Sequence, residues 1–227
     1  MLGLEGKRAL VIGGGRGMGE ASALMLAEAG WSVAVLDLEI DRAEKVAAAV
    51  AALGRKSYGF SANVLDAEAV TAAVAEAEQK LGGLDVLVTI VGQALFKPLI
   101  DMTAEDWDSE QNRNLRYVFF AARAAAASMI KRKVAGSIVC IASVDGVVGS
   151  PGHAAYGAAK AGLISLVKSM AAEWGRDNIR VNAVAPGSIT TPRLPETPES
   201  LAIMRDSVVP LGRPGTVKEI AGAVTFL

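Results

Sequence analysis

The sequence predicts an α/β fold: one domain over residues 1–227, built on a doubly wound parallel sheet with helices on both faces. Three observations carry that expectation. Short β-branched runs alternate with longer helical patterns along the whole chain. The runs are nearly all apolar rather than alternating, as strands covered on both faces require. A glycine-rich turn joins the first run to the first helical pattern, and no low-complexity linker divides the chain.

In order, "RALVIG" (8–13) reads as the first strand and leads through "GGRGMG" into a helix that ends near Gly30. "SVAVLD" (32–37) is the second strand, and 41–54 the second helix, stopped by Gly54. "SYGFSAN" (57–63) and 67–81 form the third pair, and "LDVLVTIV" (84–91) the fourth strand. A long helix is expected from about Ala104 to Lys133, interrupted near Asn114. "GSIVCIAS" (136–143) is the fifth strand, His153 to Gly175 a helix, and "IRVNAVAP" (179–186) the sixth strand. Five prolines between 188 and 215 mark that region as a loop or small lid rather than regular structure. The last pattern, "TVKEIAGAVTFL", is helical and stops at Leu227.

Composition excludes several function classes. Hydrophobic residues make up 52% of the 227, enough for a large core. Lys and Arg number 23 against 24 acids, so neither nucleic acid nor an anionic membrane is an expected partner. The Ala-rich stretches carry charges too often to span a bilayer, and "MLGLEGKRAL" has no signal-peptide pattern. The one cysteine, Cys140, cannot make an internal disulfide and reads as a small hydrophobe in the fifth strand. A cytoplasmic location is expected.

Chemistry enters at the glycine turn. Gly13, Gly17 and Gly19 follow G-x-x-x-G-x-G between a strand and a helix. Glycine allows the tight turn and a close backbone approach, and the helix N-terminus then offers free N–H groups to a pyrophosphate. Asp37 closes the second strand 18 residues after Gly19, where a carboxylate accepts hydrogen bonds from an adenosine ribose. This is the arrangement of a Rossmann-like dinucleotide site. Further along, "AAYGAAKAG" places Tyr156 and Lys160 one helical turn apart on one face. A phenol titrates near pH 10, and a neighbouring ammonium lowers that value, which suits Tyr156 to acid/base work.

These residues, with "ANV" (62–64), Asn114 in "NRNLRYVFF", Ser143 in "IAS" and "NAVAPG" (182–187) followed by Thr191, make the sequence resemble the short-chain dehydrogenase/reductase family over essentially its whole length. The 13-residue step from Ser143 to Tyr156 and the Tyr-x-x-x-Lys step both match the family's pattern. The resemblance implies roles. Tyr156 is the general acid/base, Lys160 holds the nicotinamide ribose and tunes Tyr156, Ser143 orients the substrate oxygen, and Asn114 holds a water connecting Lys160 to solvent. Gly13, Arg16, Gly17, Met18, Gly19, Asp37, Asn63, Val64, Ile90, Val91, Gly92, Pro186, Gly187, Ile189 and Thr191 line the cofactor. His153, three residues before Tyr156, reads as an exposed residue at the helix start, with a contact to substrate as the alternative.

Three positions depart from the family's pattern. Ile12 stands where Thr is usual, Asn63 where Asp is usual, and Thr89–Gly92 ("TIVG") where Asn-Asn-Ala-Gly is usual. The family's seventh strand has no counterpart, which leaves the sixth strand as an expected sheet edge. Asp37 opposes the 2′-phosphate of NADP and Arg16 favours it; NAD is the expected cofactor. The expected reaction interconverts a secondary alcohol and a ketone, with an apolar or cyclic substrate read from Ile189, Leu194, Leu201, Ile203, Met204 and Val208. Reduction of a 3-oxoacyl thioester, with Lys131, Arg132 and Lys133 meeting an acidic carrier, is one alternative. A nucleotide-binding protein without catalysis is the other. The apolar helix 117–130 points to a homo-oligomer, and the resemblance to a tetramer.

Overall fold

The computed structural model describes residues 5–195, 197–198 and 209–227. Six parallel strands, β1 (Arg8–Ile12), β2 (Ser32–Asp37), β3 (Ser57–Ser61), β4 (Val86–Thr89), β5 (Gly136–Ile141) and β6 (Ile179–Val184), form one sheet in the order β3-β2-β1-β4-β5-β6. The order reverses between β1 and β4, so a crevice opens beyond their carboxyl ends. Among the described residues β3 and β6 lie at the two edges of the sheet.

The apolar character of the strands has a direct cause. Leu10 and Ile12 of β1 face one layer, made by α3 (Ala67–Leu81), α5 (Tyr117–Arg132) and α6 (Ala154–Trp174). Ala9 and Val11 face the other, made by α1 (Gly17–Glu28), α2 (Ile40–Ala52) and α7 (Val217–Phe226). All four β1 residues are fully buried, and each core Leu or Ile stabilises the sheet by about 1.5–3 kcal/mol. A bidentate pair fastens the lower end: Arg8 Nε and Nη2 donate to Asp85 Oδ2 and Oδ1 at 2.8 and 2.9 Å.

Helix ends follow local chemistry. The Asp66 carboxylate caps α3 by accepting from the Glu68 and Ala69 N–H groups, and Gly82 ends it at φ 78°. Capping boxes start α4 (Ala104–Gln111), through Thr103 and Asp106, and α7, through Thr216 and Glu219. The long helix expected from 104 to 133 is broken where it was expected to be: a π-helical turn, Asn112–Arg116, separates α4 from α5. Among the described residues of 188–215 the structure holds pairings too short for any periodicity to reveal, one of them an antiparallel bridge between Thr191 and Leu194. Strands β7 (Ile189–Thr190) and β8 (Gly215–Thr216) pair in parallel and bring the two ends of that segment together. Leu201, Ile203, Met204 and Val208 lie outside the described residues.

Candidate active site

The glycine turn sits at the mouth of the crevice. Gly13 and Gly14 donate their N–H groups to the Leu36 carbonyl at 2.7 and 3.0 Å, tying the turn to the end of β2. Gly13 and Gly17 adopt φ of 84° and 60°, conformations that glycine reaches without strain. A Cβ on Gly19 would overlap the Gly13 carbonyl oxygen, and one on Gly15 would run into the Asp37 carboxylate. Glycine is therefore required for α1 to start this close to the strands. Asp37 is buried, and its carboxylate accepts from the Gly15 N–H at 3.0 Å and the Glu39 N–H at 3.2 Å. The cradle fits a dinucleotide: a bare glycine backbone, a helix N-terminus, and an acid where the ribose would lie.

The other residues expected at the cofactor fall in several different surroundings. Asn63 Oδ1 accepts from the Leu65 N–H at 3.0 Å, so part of its acceptor capacity is spent on its own turn. Val64 packs against the core beneath it. The Ile90 N–H donates to Ile12 O at 2.9 Å and its side chain is buried, whereas Val91 touches Gly13 and Gly92 approaches Asn114 and Lys160. The Tyr117 hydroxyl, on α5, donates to Val91 O at 2.9 Å and ties the turn after β4 to that helix. Pro186 O accepts from the Val144 N–H at 2.9 Å, joining the Gly187 turn to the loop after β5. Ile189 packs against the α1–α2–α7 side of the core, and so does Met18. Thr191 and Pro192 lie beside Gly17, and Thr191 Oγ1 accepts from the Leu194 N–H at 3.2 Å. Arg16 occupies the extended residue before α1 and its side chain makes no capping bond.

The four catalytic candidates converge at the carboxyl ends of β4 and β5. Lys160 is 2% exposed; its Nζ donates to Ile141 O at 2.8 Å and lies 5.6 Å from the centre of the Tyr156 ring. Ser143 Oγ accepts from the Asp145 N–H at 3.2 Å, and its hydroxyl acts on the Tyr156 phenol. Asn114 is wholly buried in the π-helical turn. Its Nδ2 donates to Gln93 O and Glu110 O, both at 3.0 Å, and its Oδ1 accepts from the Gln93 N–H at 3.0 Å. A π-helical turn leaves backbone groups outside the regular ladder, which is why such turns recur at functional sites.

The electrostatics correct one expectation. The Tyr156 phenol is pushed up, not down: burial dominates, the Ser143 hydroxyl opposes it, and the Asp145 and Glu110 carboxylates add to it. Lys160 lies over the ring, and its own ammonium is pushed down to about 8 by burial. Spacing along the helix brought the two side chains together but carried no information about desolvation.

Sequence reasoning missed several neighbours. Glu110, a charged residue in a polar helix, is 2% exposed beside Asn114, and burial raises its carboxyl. His153 is not simply exposed: its Nδ1 lies 2.9 Å from Asp145 Oδ2, with Phe96 and Tyr156 at its ring edges. Arg193 reaches from the loop after β7 toward Gly92 O, at 3.5 Å. None of these sits in a motif, and only the fold brings them to the crevice. Among the described residues no helix is long and apolar enough to cross a membrane.

The strand order and the glycine turn at its switch point define a doubly wound α/β domain of the dinucleotide-binding class. Comparison with known proteins narrows this. A family model described as enoyl-(acyl carrier protein) reductase matches residues 13–227. The 3-oxoacyl-(acyl-carrier-protein) reductase FabG of Thermotoga maritima is 38% identical over 224 residues, spanning 99% of this chain and 91% of that protein. The 2-(S)-hydroxypropyl-CoM dehydrogenase 3 of Xanthobacter autotrophicus is 39% identical over 223 residues, spanning 96% and 87%. A 7α-hydroxysteroid dehydrogenase solved with NADH and 7-oxo glycochenodeoxycholic acid superposes with a TM-score of 0.93 at 33% identity, over 99% of this chain and 88% of that one. A short-chain type dehydrogenase/reductase from Mycobacterium marinum gives a TM-score of 0.92 at 34% identity, over 99% and 89%. The chain belongs to the short-chain dehydrogenase/reductase family and is an oxidoreductase. The family works with nicotinamide cofactors.

Proposed function

We propose that the protein interconverts a secondary alcohol and a ketone with NAD(H), using Tyr156 as general acid/base. The observation that carries this reading is the convergence of Ser143, Tyr156, Lys160 and Asn114 around the end of the crevice. Gly13, Gly17, Gly19, Asp37 and Gly92 would hold the dinucleotide, whose nicotinamide would supply or accept the hydride. Ser143 holds the substrate oxygen, and Tyr156 passes the proton to it on reduction or takes it on oxidation. Lys160 passes that proton on toward solvent through a water that Asn114 would hold. The raised phenol favours Tyr156 as a proton donor at neutral pH, and alkaline conditions favour its action as a base.

NAD is the preferred cofactor in this reading because the buried Asp37 carboxylate, held against the glycine turn, would repel a 2′-phosphate. The solved 7α-hydroxysteroid dehydrogenase holds NADH. The substrate is largely apolar: Phe96, Val147, Val148 and Leu194 are exposed on loops at the carboxyl side of the sheet. In this reading the segment 188–215, whose two ends pair through β7 and β8, serves as the substrate lid of a single catalytic domain. Exposed Trp107, Phe119 and Ile130 on α4 and α5 support a homotetramer, which light scattering would check; a 23.4 kDa monomer at micromolar concentration contradicts it. The lone, buried Cys140 fits a cytoplasmic setting.

Tyr156→Phe tests the central claim. The ring keeps its packing and only the proton carrier is lost, so kcat should fall by about 10²–10⁴ with NAD binding retained. More than half of the wild-type kcat refutes the role. Reduction of 3-oxoacyl thioesters is the second reading, favoured by the FabG relatives. Arg132 contributes little to a carrier-binding patch, because it is bound to Glu78 at 2.9 Å. Turnover of an acyl-thioester substrate at a kcat/KM far above that of simple ketones would favour this second reading.

A further inference from the structure

We propose that His153 is a specificity residue: its Nε2 accepts a hydrogen bond from a substrate hydroxyl close to the reacting carbon, which makes hydroxy ketones and the corresponding diols the favoured substrates. The inference rests on the alcohol–ketone reading above and names the substrate class within it.

The tautomer of His153 follows from its partner. Asp145 accepts at both carboxylate oxygens, from the Ser150 hydroxyl at Oδ1 and from His153 Nδ1 at Oδ2, 2.9 Å away. A carboxylate has no hydrogen to give, so Nδ1 carries the proton. In the neutral imidazole Nε2 is then a bare acceptor, on the edge of the ring away from Asp145. Among the described residues no hydrogen-bond donor occupies it.

The ring is held in place beside the chemistry. Its centre lies 6.1 Å from that of Tyr156 and 5.6 Å from that of Phe96, edge-on to both. The Lys97 N–H donates to Gly152 O at 2.9 Å, pinning the loop after β4 to the turn that carries His153. Gly152, at φ 81°, leaves room for the Phe96 ring. The Asp145 N–H also donates to Ser143 Oγ, so one residue orients both the imidazole and the hydroxyl that holds the substrate oxygen. The His153 side chain keeps 32% of its surface exposed, enough for a ligand to reach.

The surrounding charge selects among ligands. The Asp145 and Glu110 carboxylates both face this corner and both act on Tyr156. A substrate carboxylate or phosphate would meet two negative charges here. A neutral hydroxyl meets an acceptor.

The test is kcat/KM at saturating NADH for 3-hydroxybutan-2-one against butan-2-one, and for 2-hydroxycyclohexanone against cyclohexanone. A hydroxyl also activates the neighbouring carbonyl, so the decisive quantity is how the ratio changes on mutation. His153→Leu should shrink the hydroxy-to-deoxy ratio about tenfold, one neutral hydrogen bond's worth of discrimination. His153→Gln keeps an acceptor and should retain part of the ratio. Asp145→Asn frees the tautomer and should shrink it. A ratio within twofold of wild type in both His153 variants overturns the proposal. If neither ketone pair is turned over, the alcohol–ketone reading has failed on its own. Calorimetric binding of butane-2,3-diol and butan-2-ol then decides the hydroxyl site: a diol preference lost in His153→Gln or His153→Leu supports it, and equal affinities in the wild type overturn it.

Discussion

Lys160→Met should make the protein more stable at neutral pH while removing its turnover. Lys160 is 2% exposed, and burial pushes its ammonium from an ordinary 10.5 down to about 8. Each pKa unit is worth about 1.4 kcal/mol, so holding this charge inside the fold costs about 3 kcal/mol at pH 7. Methionine fills similar space without the charge. It cannot donate to Ile141 O, and that lost bond costs about 1–2 kcal/mol. The net expectation is a gain of about 1–2 kcal/mol. The pH dependence identifies the cause. Between about 8 and 10.5 the unfolded chain binds the lysine's proton more tightly than the folded one, so wild-type stability rises with pH in that window. The advantage of the variant should shrink across it and reverse once Lys160 is neutral in both states. Urea unfolding of both proteins at pH 7, 8.5 and 10, followed by circular dichroism, measures the difference directly. A difference constant within about 0.5 kcal/mol over that range would show that burial imposes no such cost. A variant with full turnover would refute the catalytic placement of Lys160.

The unmutated protein should prefer NADH over NADPH by at least about tenfold in kcat/KM, which needs only ~1.4 kcal/mol. A carboxylate about 4 Å from each unit of phosphate charge is repelled by roughly 1 kcal/mol in water and about 4 at an effective dielectric of 20. Asp37→Ser should narrow the ratio by removing that charge, and equal turnover with NADPH before mutation refutes the role of Asp37. Gly19→Ala should cost about 3 kcal/mol or more, because the new methyl meets the Gly13 backbone rather than a side chain that can move. Gly222→Ala is the contrasting case: it lies inside α7 with open space at the Cβ position, so thermal unfolding should show a gain of about 0.5–1 kcal/mol. A stable Gly19→Ala protein would disprove the close approach of α1 to the glycine turn.

Much of the fold was readable before any coordinates, and particular residues show why. The core strands, such as 9–12, are apolar throughout because helices cover both faces, and that run is visible in one dimension. Gly13 and Gly17 need left-handed backbone, a local demand that only glycine meets cheaply. The break at Asn114 was expected, but its form as a π-helical turn holding Gln93 was not, because Gln93 lies on another loop.

Local periodicity and backbone chemistry were thus enough for the element order, the glycine turn, the acid ending β2 and the shared face of Tyr156 and Lys160. Those features depend on residues within a few positions of one another. Packing across the sheet settled what spacing could not. It buried Lys160 under Ile141, raised the Tyr156 phenol instead of lowering it, buried Glu110 beside Asn114, and turned His153 from a surface residue into the partner of Asp145. Desolvation and long-range pairing depend on which distant segments close over a group, and a linear pattern holds no record of that closure.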